Sequence, residues 1–294
     1  MEIAKVAILG AGPAGIATAI QLRRYGINPL LFEKEEVGGL LRNANLVENY
    51  PGFPGGITGP ALVKRMTRHL KDADVKVIRE TVINVDIERE TFIIETPKQK
   101  FHSLYAVVAS GTKPRKPDSP EISAGISDHV YYEIAQLYRY KGKKIVIVGA
   151  GDAAFDYAIH LSRANEVVIL NRGTAVKCIP LLWARALATP TISYNQGVVI
   201  TQILETGSEE PMYQVCVCAE SGMKYWADEV IFAVGRDPQL DFLSENVRLC
   251  QYNLIADGKL YLIGDVKNNL YRQTAIAIGD GVLAAMMISR SMDR

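Results

Sequence analysis

The sequence predicts an α/β fold built around two nucleotide-binding units, and three observations carry that expectation. An apolar strand-like run ends in a glycine turn at residues 5–15, "KVAILGAGPAG". A second does so at 144–154, "KIVIVGAGDAA". Each is followed by helical apolar spacing and then another strand-like run, the setting in which a glycine string gains meaning. There the glycines let a pyrophosphate approach the N-terminus of the helix.

In the first unit Gly10, Gly12 and Gly15 make the turn, and "PAGIATAIQLRRYG" predicts a helix ending at Gly26. The next strand, "NPLLFEK", carries Glu33 at its end. A carboxylate there accepts hydrogen bonds from both hydroxyls of an adenosine ribose.

The second unit has Gly149 and Gly151 at the turn and Ala154 at the third position, which tolerates alanine. A helix "DAAFDYAIHLSRA" and a strand "EVVILNRG" follow. Where the first unit has Glu33, this one has Asn171, Arg172 and Gly173, with Lys177 close by. No carboxylate stands there to repel a 2′-phosphate, so NADP(H) is preferred over NAD(H). A solvated Arg172 and an NAD site is the alternative. Different ribose chemistry suggests a flavin in one unit, a nicotinamide in the other, and hydride passing between them.

The rest of the chain sets bounds. With 294 residues there is room for two domains, and 48% hydrophobic residues, 22% charged residues and a net charge of +1 give no sign of nucleic-acid or membrane partners. The apolar N-terminal run enters a glycine motif, so it is not expected to be a signal peptide. No apolar run is expected to approach the roughly 20 residues of a bilayer span, and a cytoplasmic location is expected. Cys178, Cys216, Cys218 and Cys250 include no C-x-x-C pair, so reduced structural thiols and no metal site are expected. Cys216 and Cys218 share one face of a strand. None of His69, His102, His129 and His160 is assigned a catalytic role; no catalytic residue is expected beyond the flavin. The runs "VKVIRE", "VINVDIE", "TFIIETP" and "FHSLYAVVAS" predict a small β-meander.

Four further stretches occur in order: "GGLLRNANLVENYPGFP", "YAVVASGTKPR", "VIFAVGRDP" and "LYLIGDVKNNLYRQTAIAIGDG". With the two turns, they make the chain resemble the thioredoxin-reductase-like FAD/NAD(P)H oxidoreductases over nearly its whole length. The resemblance implies two Rossmann-like, three-layer ββα domains, with an NAD(P)H domain (114–239) inserted into a discontinuous FAD domain (1–113 and 240–294). The proline-bearing stretches "GTKPRKPDSP" and "GRDPQL" suit such boundaries. For FAD it implies Gly10, Gly12, Pro13, Ala14, Gly15, Glu33, Lys34, Gly39, Leu40, Asn49, Val82, Ala109, Gly111, Gly264, Asp265, Arg272, Gln273 and Thr274. For NADP it implies Gly149, Gly151, Asp152, Ala153, Ala154, Asn171, Arg172, Lys177 and Gly235. A homodimer is also implied.

The redox-active cysteine pair of thioredoxin reductases would fall on Tyr132–Ala135, which reads "YEIA". A disulfide reductase of that kind needs an attacking thiolate and a resolving thiol. Thioredoxin reductase activity is therefore not expected. The segment is closest in pattern to the thioredoxin-reductase-type ferredoxin/flavodoxin–NADP reductases, which implies a ferredoxin or flavodoxin acceptor. A basic rim of Lys113, Arg115, Lys116, Arg139, Lys141, Lys143 and Lys144 would steer such an acidic carrier. The alternatives are a small-molecule reductase acting on quinone, peroxide or disulfide, or a flavin-bearing electron-transfer module without activity of its own.

Overall fold

Val6, Ala7 and Ile8 are wholly buried because the strand Ile3–Leu9 is covered on both faces and paired on both edges. The computed structural model describes residues 3–206, 210 and 212–292. They form two units, Met1–Lys113 with Asp237–Arg294, and Pro114–Arg236.

In the first unit the sheet runs in the order Val77–Ile78, Leu30–Phe32, Ile3–Leu9, Lys100–Val108, Thr91–Glu95, Asn84–Glu88. The long strand Lys100–Val108 does two jobs. Its beginning pairs antiparallel with Thr91–Glu95, while Ala106–Val108 pairs parallel with Leu260–Leu262. One strand thus joins the parallel nucleotide-binding sheet to the meander. On one face Ile16, Ala19 and Leu22 of the helix Pro13–Arg24 cover Val6, Ile8 and Val107. Burying a side chain such as Leu22 contributes about 1.5–3 kcal/mol. On the other face Phe32, Phe92, Ile94 and Leu260 make a second core.

The helix Thr274–Met292 also packs on Pro13–Arg24, turning Ala277, Gly281, Ala284, Ala285 and Ile288 inward. This helix corrects one expectation. Its 19 residues are long and apolar enough by length and composition to cross a membrane. The small residues on its inner face serve close helix packing instead. A Cβ added to Gly281 would overlap the carbonyl oxygen of Ala14.

The second unit repeats the plan. Five parallel strands lie in the order Ile192–Gln196, Glu166–Asn171, Lys144–Val148, Glu229–Phe232, Val130–Tyr131. The helix Asp152–Leu161 buries Ala154, Phe155, Ala158 and Leu161 on one face. On the other, Val146, Val168 and Leu170 meet Ile203, Val215 and Val217 of a second sheet. That sheet runs Lys224–Ala227, Val215–Ala219, Ile200–Glu205, Glu121–Ile122. Both units are therefore Rossmann-like, three-layer α/β domains.

Candidate functional site

Open α/β sheets bind ligands beyond the carboxyl ends of their strands. In the first unit the strand Ile3–Leu9 delivers Gly10 there with φ +112°, and an added Cβ would overlap Ala109 O. Only glycine fits. Gly15 is equally constrained, because its Cβ would overlap Gly10 O. Gly12 differs: nothing lies within 4 Å of an added Cβ. The N-terminus of Pro13–Arg24 carries no side-chain cap and no acidic residue in its first turn. Open space and uncapped N–H groups make a cradle that fits a pyrophosphate.

Glu33 is held beside that turn. Ala11 N–H donates to Oε2 at 2.9 Å and Glu35 N–H to Oε1 at 3.0 Å. Its neighbour Lys34 is exposed and pairs with Glu35. Gly38 N–H donates to Ala11 O at 2.8 Å, bringing the next loop onto the turn. Gly39, at φ +53°, has Gly12 Cα only 3.3 Å from an added Cβ, and Leu40 follows half-buried. Ala109 is buried under the turn, Gly111 takes φ +66°, and Val82 packs against the meander-side core.

The C-terminal segment closes the same end of the sheet. Gly264, at φ +70°, would place a Cβ 2.9 Å from that of Ala14, so Gly264 lies against the first helix, and the half-buried Asp265 follows it. Asn49 Nδ2 donates to Gln273 Oε1 at 2.8 Å. Arg272 is half-buried and Thr274 opens the last helix. Sequence reasoning missed Asp280. Its Oδ2 accepts from Gly264 N–H at 3.0 Å and Asn268 Nδ2 at 2.7 Å, and its Oδ1 from Lys267 Nζ at 3.1 Å. Burial opposes its charge, but these donors together hold the carboxyl below its ordinary value. An acid inside an apolar helix was the available signal.

In the second unit Gly149 has φ +134° and its Cβ would overlap Ala233 O, whereas Gly151 faces open space. Ala154 is fully buried; Asp152 and Ala153 are exposed in the first helical turn. The segment after the next strand folds back over this turn. Lys177 N–H donates to Ala150 O at 3.0 Å, and Ile179 N–H to Asp152 Oδ1 at 2.8 Å. Arg172 and Lys177 keep exposed side chains, and Gly235 takes φ +114°.

Asn171, expected as a nucleotide contact, also bonds its own loop. Its Nδ2 donates to Ala175 O at 3.1 Å and Tyr194 Oη at 2.9 Å, and its Oδ1 accepts from Gly173 N–H at 3.1 Å. The buried amide shapes the loop that presents Arg172. Among the described residues no His, Cys, Asp and Glu cluster is placed to hold a metal.

The profile of the pyridine nucleotide-disulphide oxidoreductase family matches residues 4–281. The chain belongs to that family. It is 27% identical to the thioredoxin reductase of Chlamydia pneumoniae over 97% of this chain and 98% of that protein. It is 28% identical to NADPH-dependent thioredoxin reductase 3 of Arabidopsis thaliana, over 98% of this chain but only 58% of the longer protein. The crystal structure of T. acidophilum thioredoxin reductase superposes with a TM-score of 0.84 at 26% identity, covering 99% of each chain. The protein is thus a thioredoxin-reductase-like flavoprotein that uses FAD and a nicotinamide nucleotide.

Within this member of the pyridine nucleotide-disulphide oxidoreductases, Tyr132–Ala135 is tied down. The Tyr132 ring stacks on Phe232 with centroids 5.5 Å apart and planes at 15°, and Lys116 Nζ lies 5.3 Å from its centroid. Arg236 Nη2 donates to Glu133 Oε1 at 2.8 Å, and Ile134 is fully buried. Three of the seven cations of the expected basic rim meet carboxylates. Lys113 pairs with Asp241, Lys143 with Asp228 at 2.9 Å, and Lys144 with Glu166 at 3.7 Å. Arg139 lies over the Tyr140 ring.

Proposed function

We propose that the protein is an NADPH-dependent flavin oxidoreductase whose acceptor is a small diffusible molecule: a disulfide, quinone or peroxide. The observation that carries this reading is the segment Tyr132–Ala135. A stacked aromatic, an ion-paired carboxylate and a buried isoleucine stand where a dithiol relay would have to be. Carboxylates beside Lys113, Lys143 and Lys144 weaken the field that an acidic protein carrier would follow.

The roles of the residues follow from their chemistry. The Gly10–Gly15 turn and the uncapped N-terminus of its helix would neutralise the FAD pyrophosphate, and Glu33 would accept from the adenosine ribose. Gly264, held by Asp280, would bring Asp265 to the polyhydroxyl chain. Asn49 and Gln273 would stand together at the ring edge. The Gly149–Ala154 turn would receive the NADPH pyrophosphate, with Arg172 and Lys177 facing the 2′-phosphate. Bound flavin supplies two-electron acceptance of a hydride; the chain supplies position and charge.

Two other readings are carried by particular observations. A ferredoxin or flavodoxin acceptor is favoured by the likeness of the Tyr132 segment and the second glycine turn to that reductase class. Thioredoxin reduction is favoured by the relatives' names. Anaerobic reduction of the holoprotein by NADPH, then mixing with thioredoxin, small disulfides, quinones, peroxide, flavodoxin and ferredoxin, separates all three. Rapid turnover with a small acceptor and none with the three proteins is expected. Turnover confined to a protein acceptor overturns the reading.

A further inference from the structure

The described residues contain two sulfur atoms close enough to react with one another. Cys216 and Cys218 lie on Val215–Ala219, an inner strand of the four-stranded sheet in the second unit. Val215, Val217 and Ala219 point into the core, so the cysteines between them point to the opposite face. Their Sγ atoms are 3.7 Å apart.

The two thiols differ in access. Cys216 is 3% exposed, whereas Cys218 is half-open to solvent. Across the ladder Cys216 faces Leu204 and Trp226, and Cys218 faces Gln202 and Lys224. Lys224 Nζ lies 5.5 Å from the Trp226 ring centroid, which keeps its charge over this face of the sheet. A register shift between Ile200 and Gln202 falls beside Cys218, where Thr201 Oγ1 donates to Cys218 O at 3.3 Å. Such a bulge breaks the regular ladder and increases local twist.

From this geometry we propose that Cys216 and Cys218 form a reversible dithiol–disulfide couple that exchanges with anionic low-molecular-weight disulfides. Cys218, the reachable sulfur, attacks the incoming disulfide, forming a mixed disulfide and releasing one thiolate. Cys216 then attacks Cys218 Sγ, forming the internal bond and releasing the second thiolate. Two protein S–H bonds are lost, one external disulfide is reduced to two thiols, and the balance closes. Lys224, paired across the ladder with the attacking Cys218, favours an oxidant that carries a carboxylate.

Same-face residues on a strand have Cα atoms about 6.6 Å apart, near the upper limit of about 6.8 Å for a disulfide, and their near-parallel Cβ atoms stand farther apart than the roughly 3.5–4.5 Å that the bond needs. Closing the bond therefore pulls the strand from its regular spacing. A strained disulfide is readily reduced, which suits a couple that cycles rather than a permanent staple.

The test uses the full-length holoprotein with Cys178→Ser and Cys250→Ser, so that only the pair can react. Cys250 Sγ donates to Asn246 O at 3.0 Å, a bond that serine can keep. Dithiobis-nitrobenzoate, an anionic aromatic disulfide, should release two equivalents of thiolate. The protein should retain no aryl group and be lighter by the mass of two hydrogens. Adding Cys216→Ser should arrest the reaction as a stable mixed disulfide at Cys218. Lys224→Glu should slow the anionic reagent roughly tenfold while leaving neutral dithiodipyridine unaffected, the fold-change of about 1.4 kcal/mol. If the background variant fails to fold, peptide mass mapping of the oxidised natural chain reads the same bond. Persistent aryl adducts on both cysteines, or a Cys218 that does not react in the folded protein, overturn the proposal. Equal slowing of both reagents by Lys224→Glu overturns the role given to that lysine.

Discussion

Asn49 and Gln273 lie 224 residues apart in sequence, yet Asn49 Nδ2 donates to Gln273 Oε1 at 2.8 Å. The bond joins the loop after the first βαβ unit to the start of the last helix, and so closes the cradle assigned to the flavin ring edge. A hydrogen bond between neutral groups is worth about 0.5–1.5 kcal/mol. Asn49→Ala should therefore weaken FAD binding by up to roughly tenfold while the fold survives. Titration of the apoprotein by flavin fluorescence reads this directly; unchanged affinity removes the pair from the cradle.

Gly281 bears on the same cradle from behind. Its missing Cβ lets the last helix touch Ala14 O, one residue before Gly15. A valine there would have to push the helix away from the first glycine turn. Overpacking of this kind costs about 1–3 kcal/mol. Gly281→Val should lower the melting temperature of the apoprotein and should also loosen FAD. Loss of stability with FAD affinity intact would show that the turn tolerates the displaced helix.

Arg172 should decide between the two nicotinamide nucleotides. Asn171 holds the loop that presents it, and no carboxylate stands in the place that Glu33 takes in the first unit. A charge-assisted contact contributes about 1.5–3 kcal/mol. NADPH should reduce the flavin faster than NADH at equal concentration, and Arg172→Ala should erode that advantage roughly tenfold or more. Stopped-flow reduction with both nucleotides tests it. Equal use of both by the natural chain assigns the site to NAD.

Asp280 gives a pH dependence of defined sign. Its folded carboxyl titrates below the ordinary value of 3.8. The unfolded chain therefore binds its proton at higher pH than the folded one. The stabilisation is fully present above that ordinary value and is lost as pH falls through the folded one. Asp280→Asn should lower stability at neutral pH and flatten the acid limb of the stability curve. Thermal melts from neutral pH to about pH 3 would reveal it. A variant with an unchanged acid limb would show that Gly264 and Asn268 do not stabilise the charged form.

How much of this was legible in the sequence depended on range. The glycine turns, the helices after them and Glu33 were readable because strand, turn and helix signals sit within about 30 residues of one another. The thioredoxin-reductase-like family was readable for the same reason. What lay hidden was pairing at distance. Nothing near Lys113 or Lys143 announces Asp241 or Asp228, yet those acids pair two lysines of the apparent basic rim. Asn171 was legible as the end of a strand, but the bonds its side chain makes to its own loop were not, a use to which asparagine is well suited.

The ion pairs at Lys113, Lys143 and Lys144 also lead to a prediction about the acceptor. Fields from exposed charges decay over about 8–10 Å at physiological salt, and a paired lysine presents less field still. Oxidation of the NADPH-reduced holoprotein by a neutral quinone should be nearly independent of ionic strength. An acidic one-electron carrier, if reduced at all, should show only a shallow salt dependence. Lys141 is exposed and serves as a direct probe; Lys141→Glu should leave the quinone rate unchanged. Measured rates from about 10 mM to 1 M salt, a span over which the screening length falls roughly tenfold, decide the matter. A steep fall with the carrier and none with the quinone, reproduced by Lys141→Glu, would return the acceptor to the ferredoxin and flavodoxin class and overturn the small-molecule reading.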